Sequence, residues 1–207
     1  MMRGANGSID ATFNIGSGFP NGTVSAIQVQ ANGKILVVGS FTQVNGAAVG
    51  RIVRLLSDGS IDPAYDTGLG ANGDIYGAAI DDVGKLVIVG AFSSVNGTPR
   101  PGVARLLTNG AVDPSFNPGA GPNAGVYCVA HQRDGKILIG GLFTSYNGST
   151  PASRIARLER NGTYDNSFSI GTGFNSWVYT IALQGDGKIL AGGDFTTYNG
   201  ATRNRLV

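Results

Sequence analysis

A Gly-Lys pair followed by an aliphatic run occurs at Gly33-Lys34, Gly84-Lys85, Gly135-Lys136 and Gly187-Lys188, at intervals of 51, 51 and 52 residues. A fixed period of this length dictates architecture, because a single unit cannot bury its apolar faces alone and must stack on its neighbours. Other features keep step with it. Gly-x-Phe closes the run at Phe41, Phe92, Phe143 and Phe195, and Asn-Gly follows at Asn45, Asn96, Asn147 and Asn199. Next come Arg-Leu at Arg54, Arg105 and Arg157, a second turn at Gly59, Gly110 and Gly162, and Asp-x-x-aromatic at Asp62/Tyr65, Asp113/Phe116 and Asp165/Phe168. The remaining copy of this second half stands at the start of the chain, as Asn6-Gly7, Asp10 and Phe13.

Within one period the pattern is that of strands. Val24 to Gln30 alternates weakly and Lys34 to Phe41 returns, with Asn32-Gly33 between them fitting a two-residue type I′ hairpin, which needs two residues at positive φ. Arg51 to Leu56 is a third strand. Asp58-Gly59 suggests another such turn, and Ser60 to Asp62 a short fourth strand that Pro63 stops, since proline has no amide hydrogen for the ladder. The run Ile35-Leu36-Val37-Val38 is continuous rather than alternating, as expected where both faces of a strand are covered. Composition agrees: 34 of 207 residues are glycine, only 14% are charged, and 42% are hydrophobic. Such a chain is rich in turns yet apolar enough for a core, which excludes disorder.

Four such units, residues 1–207 as a single domain, predict an all-β fold: a four-bladed β-propeller with four antiparallel strands per blade. Counting back from the repeat places Met1 in register with Val53, and counting forward places Val207 in that same register. The ring is therefore expected to be closed by the two termini, with Arg205-Leu206-Val207 running on toward Met2-Arg3 in one strand. Closure would remove the exposed sheet edges of an open stack.

The units resemble the delta-60 repeat family, on the pattern V-x-A-I-A-x-Q-x-D-G-K-I-L-V-G-G-x-F followed by I-A-R-L. The third copy carries Val129-Ala130-His131-Gln132-Arg133-Asp134-Gly135-Lys136-Ile137-Leu138-Ile139-Gly140-Gly141-Leu142-Phe143 and then Ile155-Ala156-Arg157-Leu158. The fourth carries Ile181-Ala182-Leu183-Gln184-Gly185-Asp186-Gly187-Lys188-Ile189-Leu190-Ala191-Gly192-Gly193-Asp194-Phe195. The second departs, with Asp82-Val83-Gly84 at the turn. The resemblance implies a β-propeller-like unit without enzymatic activity, found in parts of large bacterial surface or secreted proteins and in phage structural proteins.

Few residues invite catalytic chemistry. The Gly-Lys pairs do not make a phosphate loop, which needs Ser or Thr after the lysine and a helix next, whereas Ile35, Leu86, Ile137 and Ile189 follow. His131 is the one histidine and takes the slot of Val29, Ile80 and Leu183, a structural position. Cys128, the one cysteine, can form no intramolecular disulfide and takes the small-residue slot of Ala26, Gly77 and Thr180, which suits strands crowding near a narrow axis. The repeated Asp10, Asp62, Asp113 and Asp165 offer one acid per copy, too few oxygens for calcium, and are expected to cap their own turns. In a two-residue hairpin around Asp58-Gly59, residue 62 faces 55, so Arg54 could reach Asp62 only diagonally, through a bulge or between blades. The sequons at Asn6, Asn21, Asn96, Asn147 and Asn161 follow from the turn preference for Asn-Gly. No cofactor or metal site is expected.

A formal charge of +2, from 15 Lys and Arg against 13 Asp and Glu with no run of either sign, leaves no electrostatic footprint for nucleic acid or a membrane surface. The apolar runs are too short to span a bilayer, and the N-terminal stretch has no signal-peptide core. The candidate binding residues are tyrosines. The first-strand position of Ser25, Tyr76, Tyr127 and Tyr179 is aromatic in three of four units, Trp177 precedes the last of these strands, and Tyr146 and Tyr198 precede two Asn-Gly turns. Such rings anchor a partner or stack on a sugar, the alternative being packing between blades. The expected function is a non-catalytic structural or adhesive module with protein partners in a larger assembly, such as a phage tail or capsid accessory component. The alternative is a glycan-binding, lectin-like propeller of a bacterial surface or secreted assembly.

Overall fold

The structure, a computed structural model, describes residues 8–148 and 152–207. Strand β1 (Val24–Val29) pairs antiparallel with β2 (Ile35–Gly39), and β2 with β5 (Ile52–Leu55), giving one three-stranded sheet. Between them projects a two-residue hairpin of β3 (Gln43–Val44) and β4 (Ala47–Ala48). The second unit repeats this with β6 (Ile75–Ile80), β7 (Leu86–Gly90) and β10 (Val103–Leu106), and its hairpin of β8 (Ser94–Val95) and β9 (Thr98–Pro99). The third has β11 (Val126–His131), β12 (Ile137–Gly141) and β13 (Ile155–Leu158). In the fourth, β14 (Val178–Leu183) pairs with β15 (Ile189–Gly193), followed by the hairpin of β16 (Thr197–Tyr198) and β17 (Ala201–Thr202). The described residues are all-β and include no helix long and apolar enough to cross a membrane.

Every residue of the second strands β2, β7 and β12 is buried, as their unbroken apolar runs require of a sheet covered on both faces. The first strands follow one another: β1 packs on β6, β6 on β11 and β11 on β14. Gly77 lies where two of these strands approach closely, since a Cβ there would stand 3.0 Å from the Tyr127 carbonyl oxygen. Cys128, the next small residue in that slot, is only partly accessible, and burial pushes its thiol pKa up to about 12.

The structure corrects several expectations. The Asn32-Gly33 and Asp58-Gly59 turns are not type I′. Gln30 N–H donates to Lys34 O (2.8 Å) and Leu56 N–H to Ser60 O (2.8 Å), so each loop has three residues. Only Gly33 (φ 79) and Gly59 (φ 91) are left-handed there, as in a type I turn with a glycine bulge. This explains why Val83 is tolerated in the second copy: Gly84 (φ 82) alone takes the positive φ, and Asp81 N–H donates to Lys85 O (2.9 Å) as in the other copies. The two-residue turns of the I′ kind lie instead at Asn45-Gly46, Asn96-Gly97 and Asn199-Gly200, and Asn147-Gly148 has the same left-handed backbone, with the Asn φ at 47 to 50 and each glycine also left-handed. In three units the fourth strand shrinks to one bridge, Leu55 with Ile61, Leu106 with Val112, and Leu158 with Tyr164; Pro63 and Pro114 end the ladder in the first two, while the third stops at the same place with Asn166 there.

Closure of the ring is not seen among the described residues, where no comparable packing joins β14 to β1. Arg205 to Val207 do add a third strand to the fourth sheet. Ala191 N–H donates to Val207 O (2.8 Å), Val207 N–H returns to Ala191 O (3.1 Å), and Gly193 N–H donates to Arg205 O (3.0 Å). The expected continuation into Met2-Arg3 lies outside the described residues.

Candidate interaction surface

Each first strand begins with a β-bulge, where its register against the second strand slips between Val24 and Ala26, Ile75 and Gly77, Val126 and Cys128, and Val178 and Thr180. The extra residues are Ser25, Tyr76, Tyr127 and Tyr179. A bulge leaves its residue unpaired and re-aims the side chain, which turns a strand position into a projecting one. Close backbone approach fixes each bulge: at Gly141 a Cβ would stand 2.4 Å from Gly125 O, the carbonyl that receives Leu142 N–H at 2.9 Å. Gly39, Gly90 and Gly193 repeat this, so the Gly-x-Phe of every unit keeps its first residue small for the bulge.

Because the first strands lie side by side, the bulged tyrosines of three sheets meet. Tyr76 and Tyr127 have ring centroids 5.3 Å apart, Tyr127 and Tyr179 5.4 Å, Tyr127 and Trp177 6.5 Å, and Trp177 and Tyr179 6.0 Å at 84°. These separations fall in the favourable range for offset or edge-to-face aromatic pairs. Tyr127 sits centrally against three rings, while Trp177 and Tyr179 are exposed. Burial, with Tyr76 close by, raises the Tyr127 hydroxyl pKa. Desolvation and the Asp194 carboxylate, which accepts from Tyr179 Oη at 2.8 Å, push Tyr179 up to about 12. Both hydroxyls therefore stay protonated donors at neutral pH, and the row offers aromatic faces and hydrogen bonds rather than a nucleophile.

Two of the candidate tyrosines do not belong to it. Tyr146 is fully buried, its hydroxyl donates to Gly162 O (2.9 Å), and it is a core residue of the third unit. Tyr198 packs on Phe174 at 4.6 Å beside the hairpin of the fourth sheet. The sequence put both next to Asn-Gly turns but carried no sign of which way the hairpins fold, and they fold back onto the core. His131 ends β11 opposite Ile137, with Nε2 3.9 Å from Asp82 Oδ1, in the apolar slot expected of it. It borders a cleft of about 380 Å³ between the outer turns of the third and fourth sheets, with Gln132, Arg133, Leu183 and Gln184.

The repeated acids are structural in every copy. Asp62 Oδ1 accepts from Ala64 N–H (3.0 Å), and Asp113 and Asp165 from Ser115 and Ser167 N–H (2.9 Å each), which are the expected turn caps. The other oxygen holds two cations. Arg54 Nε and Lys34 Nζ donate to Asp62 Oδ2 at 2.7 and 2.8 Å, Arg105 and Lys85 to Asp113 at 2.9 and 2.8 Å, and Arg157 and Lys136 to Asp165 at 2.7 Å each. The three-residue turn makes this possible: it sets 62 opposite 54 rather than 55, so that Asp62 N–H donates to Arg54 O (2.8 Å) and both side chains share a face. The aromatic of Asp-x-x-aromatic covers the guanidinium, at 4.5 Å for Tyr65, 5.0 Å for Phe116 and 4.7 Å for Phe168. Arg54 then reaches Thr108 O and Arg105 reaches Arg160 O (2.7 Å each), tying each sheet to the next. The lysine's role was not foreseen, although its fourfold recurrence beside the turn was a signal. A hydrogen bond from Lys34 is the main reason that the Asp62 carboxyl is held down at about 2. Burial works against ionisation at Asp113 and Asp165, yet bonds from lysine, serine and arginine keep both well below the ordinary carboxylate range. Among the described residues no cluster of three or more His, Cys, Asp or Glu is placed to hold a metal ion.

Stacked four-unit sheets of this kind define a propeller-like repeat protein. The chain belongs to the family described as "Domain of unknown function (DUF5122) beta-propeller", whose model matches residues 30–65, 84–116, 132–168 and 184–207, together more than half of the chain. No curated protein matches it. Among solved structures it is similar to a protein of unknown function from Bacteroides caccae, with a TM-score of 0.50 and 15% identity over 91% of this chain and 61% of that one. It is also similar to YCF48 bound to D1 peptide (TM-score 0.48, 14% identity, 84% of this chain and 48% of that one). A third is the extracellular domain of a putative one component system from B. thetaiotaomicron (TM-score 0.46, 11% identity, 86% and 23%). The chain thus spans about three fifths of the first of these structures and less of the others.

Proposed function

We propose that this chain is a non-catalytic interaction module, its four sheets serving as four propeller blades that carry the aromatic row of Tyr76, Tyr127, Tyr179 and Trp177 to a protein partner in a larger assembly. The observation that supports this is the meeting of four rings from three sheets at bulges, with two of them left in solvent. Large rigid rings bury area at small entropic loss, which is what an anchor for a partner requires. The likeness of the repeat to delta-60 units adds the setting, a virion component or a bacterial surface or secreted assembly; nucleic acid, membrane and cofactor have no part in it. A photoreactive phenylalanine analogue in place of Trp177, irradiated in the source cells or lysate, should give a discrete protein adduct that Tyr127→Ala abolishes. An adduct that survives Tyr127→Ala, or none, would sink this reading.

A second reading rests on the same exposed ring faces of Trp177 and Tyr179, which can stack on a pyranose ring while the Tyr179–Asp194 pair bonds its hydroxyls. Retention on a glycan array that Tyr179→Ala removes, in a chain that gives no protein adduct, would favour it.

A further inference from the structure

The contacts between successive sheets follow one rule. Leu36, Val38 and Ile52 on the leading face of the first sheet share a core cluster with Ala78, Leu86 and Ile88 on the trailing face of the second. Val87, Val89 and Val103 do the same against Ile137, Ile139 and Leu158 of the third. Ile155 of the third sheet clusters in turn with Val178 and Ala191 of the fourth, which leaves the leading face of the fourth sheet, with Leu190 and Leu206 in the slots of Leu36 and Ile52. Leu206 is 62% exposed where Ile52 is 2%. At the other end of the arc, no sheet of the described residues packs comparably on the trailing face of the first sheet. There Ile27 and Val29 are 58% and 66% exposed, although Ala78, in the slot of Ile27, is 8% exposed. This face holds an apolar groove of about 300 Å³ lined by Phe13, Ile15, Ile27, Val29, Ile35 and Leu55.

The charges are split in the same way. In three units the turn lysine holds the repeat aspartate at 2.7 to 2.8 Å. The fourth lysine, Lys188, instead meets Asp186 of its own turn, and the fourth aspartate, Asp10, accepts from Thr12. One sits beside the open leading face, the other beside the open groove.

We infer that these two ends are the halves of one further inter-sheet interface, joined head to tail between two copies of this chain. The leading face of one copy, with Leu190 and Leu206, fills the groove of the other, and Lys188 of the first meets Asp10 of the second as Lys34 meets Asp62. The three inter-sheet interfaces already present in the molecule show what such a groove accepts: the leading face of another sheet of this repeat. A head-to-tail contact that is repeated closes into a ring when its rotation allows and otherwise extends. Either way each chain uses both ends.

Light scattering across a dilution series tests this. The parent chain should show a concentration-dependent multiple of 21.2 kDa. Ile27→Glu blocks the groove and Leu206→Glu the leading face, so each variant alone should run as a monomer. An equimolar mixture of the two should form a one-to-one pair, because each still carries the half that the other lost. Both positions are exposed in the isolated chain, so both variants should melt as a monomer of intact fold. Lys188→Asp should weaken association several-fold, and adding Asp10→Lys in the same chain should restore it. A parent chain that stays monomeric at every concentration overturns the inference, as does a monomer whose melting temperature falls with Ile27→Glu, since its own fourth sheet then fills the groove. A Leu206→Glu chain that still associates means a groove-to-groove contact and overturns it too, as does a mixture that does not pair.

Discussion

Replacing Asp113 with alanine removes the acceptor on which one unit is organised, and the repeat supplies its own control. Asp113 Oδ2 accepts from Arg105 Nε (2.9 Å) and Lys85 Nζ (2.8 Å), and Oδ1 from Ser115 N–H (2.9 Å) and Oγ (2.6 Å). Asp113 is 2% exposed and the Arg105 side chain 11%, so the substitution leaves a guanidinium under the Phe116 ring without its carboxylate, held only by Arg160 O (2.7 Å) and Ser115 Oγ (3.3 Å). Breaking a buried ion pair from one side costs about 3 to 5 kcal/mol, which at this chain length lowers Tm by roughly 10 °C. Asp10 stands at the same place in the repeat and makes the same turn cap to Thr12 N–H (2.9 Å), but it is only half-buried and, among the described residues, pairs with no arginine. At a dilution where the chain is monomeric, Asp10→Ala therefore loses only a turn cap and should cost far less than Asp113→Ala. Urea titration of both variants, followed by the fluorescence of Trp177 and by far-ultraviolet circular dichroism, measures the difference. Equal losses for Asp113→Ala and Asp10→Ala would refute the argument, because the cap would then account for the aspartate and the buried cation pairing would contribute nothing. Arg105→Met, which removes the buried cation and keeps most of its volume, should partly rescue Asp113→Ala.

Gly141→Ala places a methyl 2.4 Å from Gly125 O and should cost about 1 to 3 kcal/mol or more, whereas Gly185→Ala, which meets nothing within 4 Å, should leave urea stability nearly unchanged. Acid should unfold the protein through its aspartates. Their folded pKa values lie below the ordinary carboxylate value of about 4, so their contribution is full above pH ~4 and is lost as pH falls through the Asp62 value of about 2, with Asp113 and Asp165 lower still. A Tm that stays flat over that window would contradict this. Cys128, with its thiol pushed up to about 12, should react with a disulfide reagent at pH ~8 far more slowly in the native state than in urea; equal rates would place it at the surface. Deleting Arg205 to Val207 leaves the Ala191 and Gly193 amides without their strand partners and should lower Tm, each unsatisfied group costing about 1 to 3 kcal/mol.

The sequence by itself determined the period, the three strong strands of each unit, the place of the repeated Asn-Gly and Asp-Gly turns, and the Asp caps. All of these follow from forces acting within a few residues: apolar runs, proline's missing amide, glycine's left-handed backbone, and a carboxylate reaching an amide two positions on. It also singled out Tyr76, Tyr127 and Tyr179 by their shared slot. Loop length at Asp58-Gly59 was not legible, because one glycine at positive φ serves a two-residue turn and a three-residue turn alike. That single residue of register decides whether Arg54 and Asp62 share a face. Nor was it legible that Tyr127 meets rings from two other sheets while Tyr146 sinks into the core, since that depends on a bulge, on hairpin direction and on the spacing of neighbouring sheets. The relation of the first sheet to the fourth was beyond it as well. Register arithmetic brought Met1 and Val207 to the same strand position, but whether two ends meet is set by the rotation between successive sheets, which side-chain packing at Gly77, Ala78 and their counterparts fixes and no local pattern encodes.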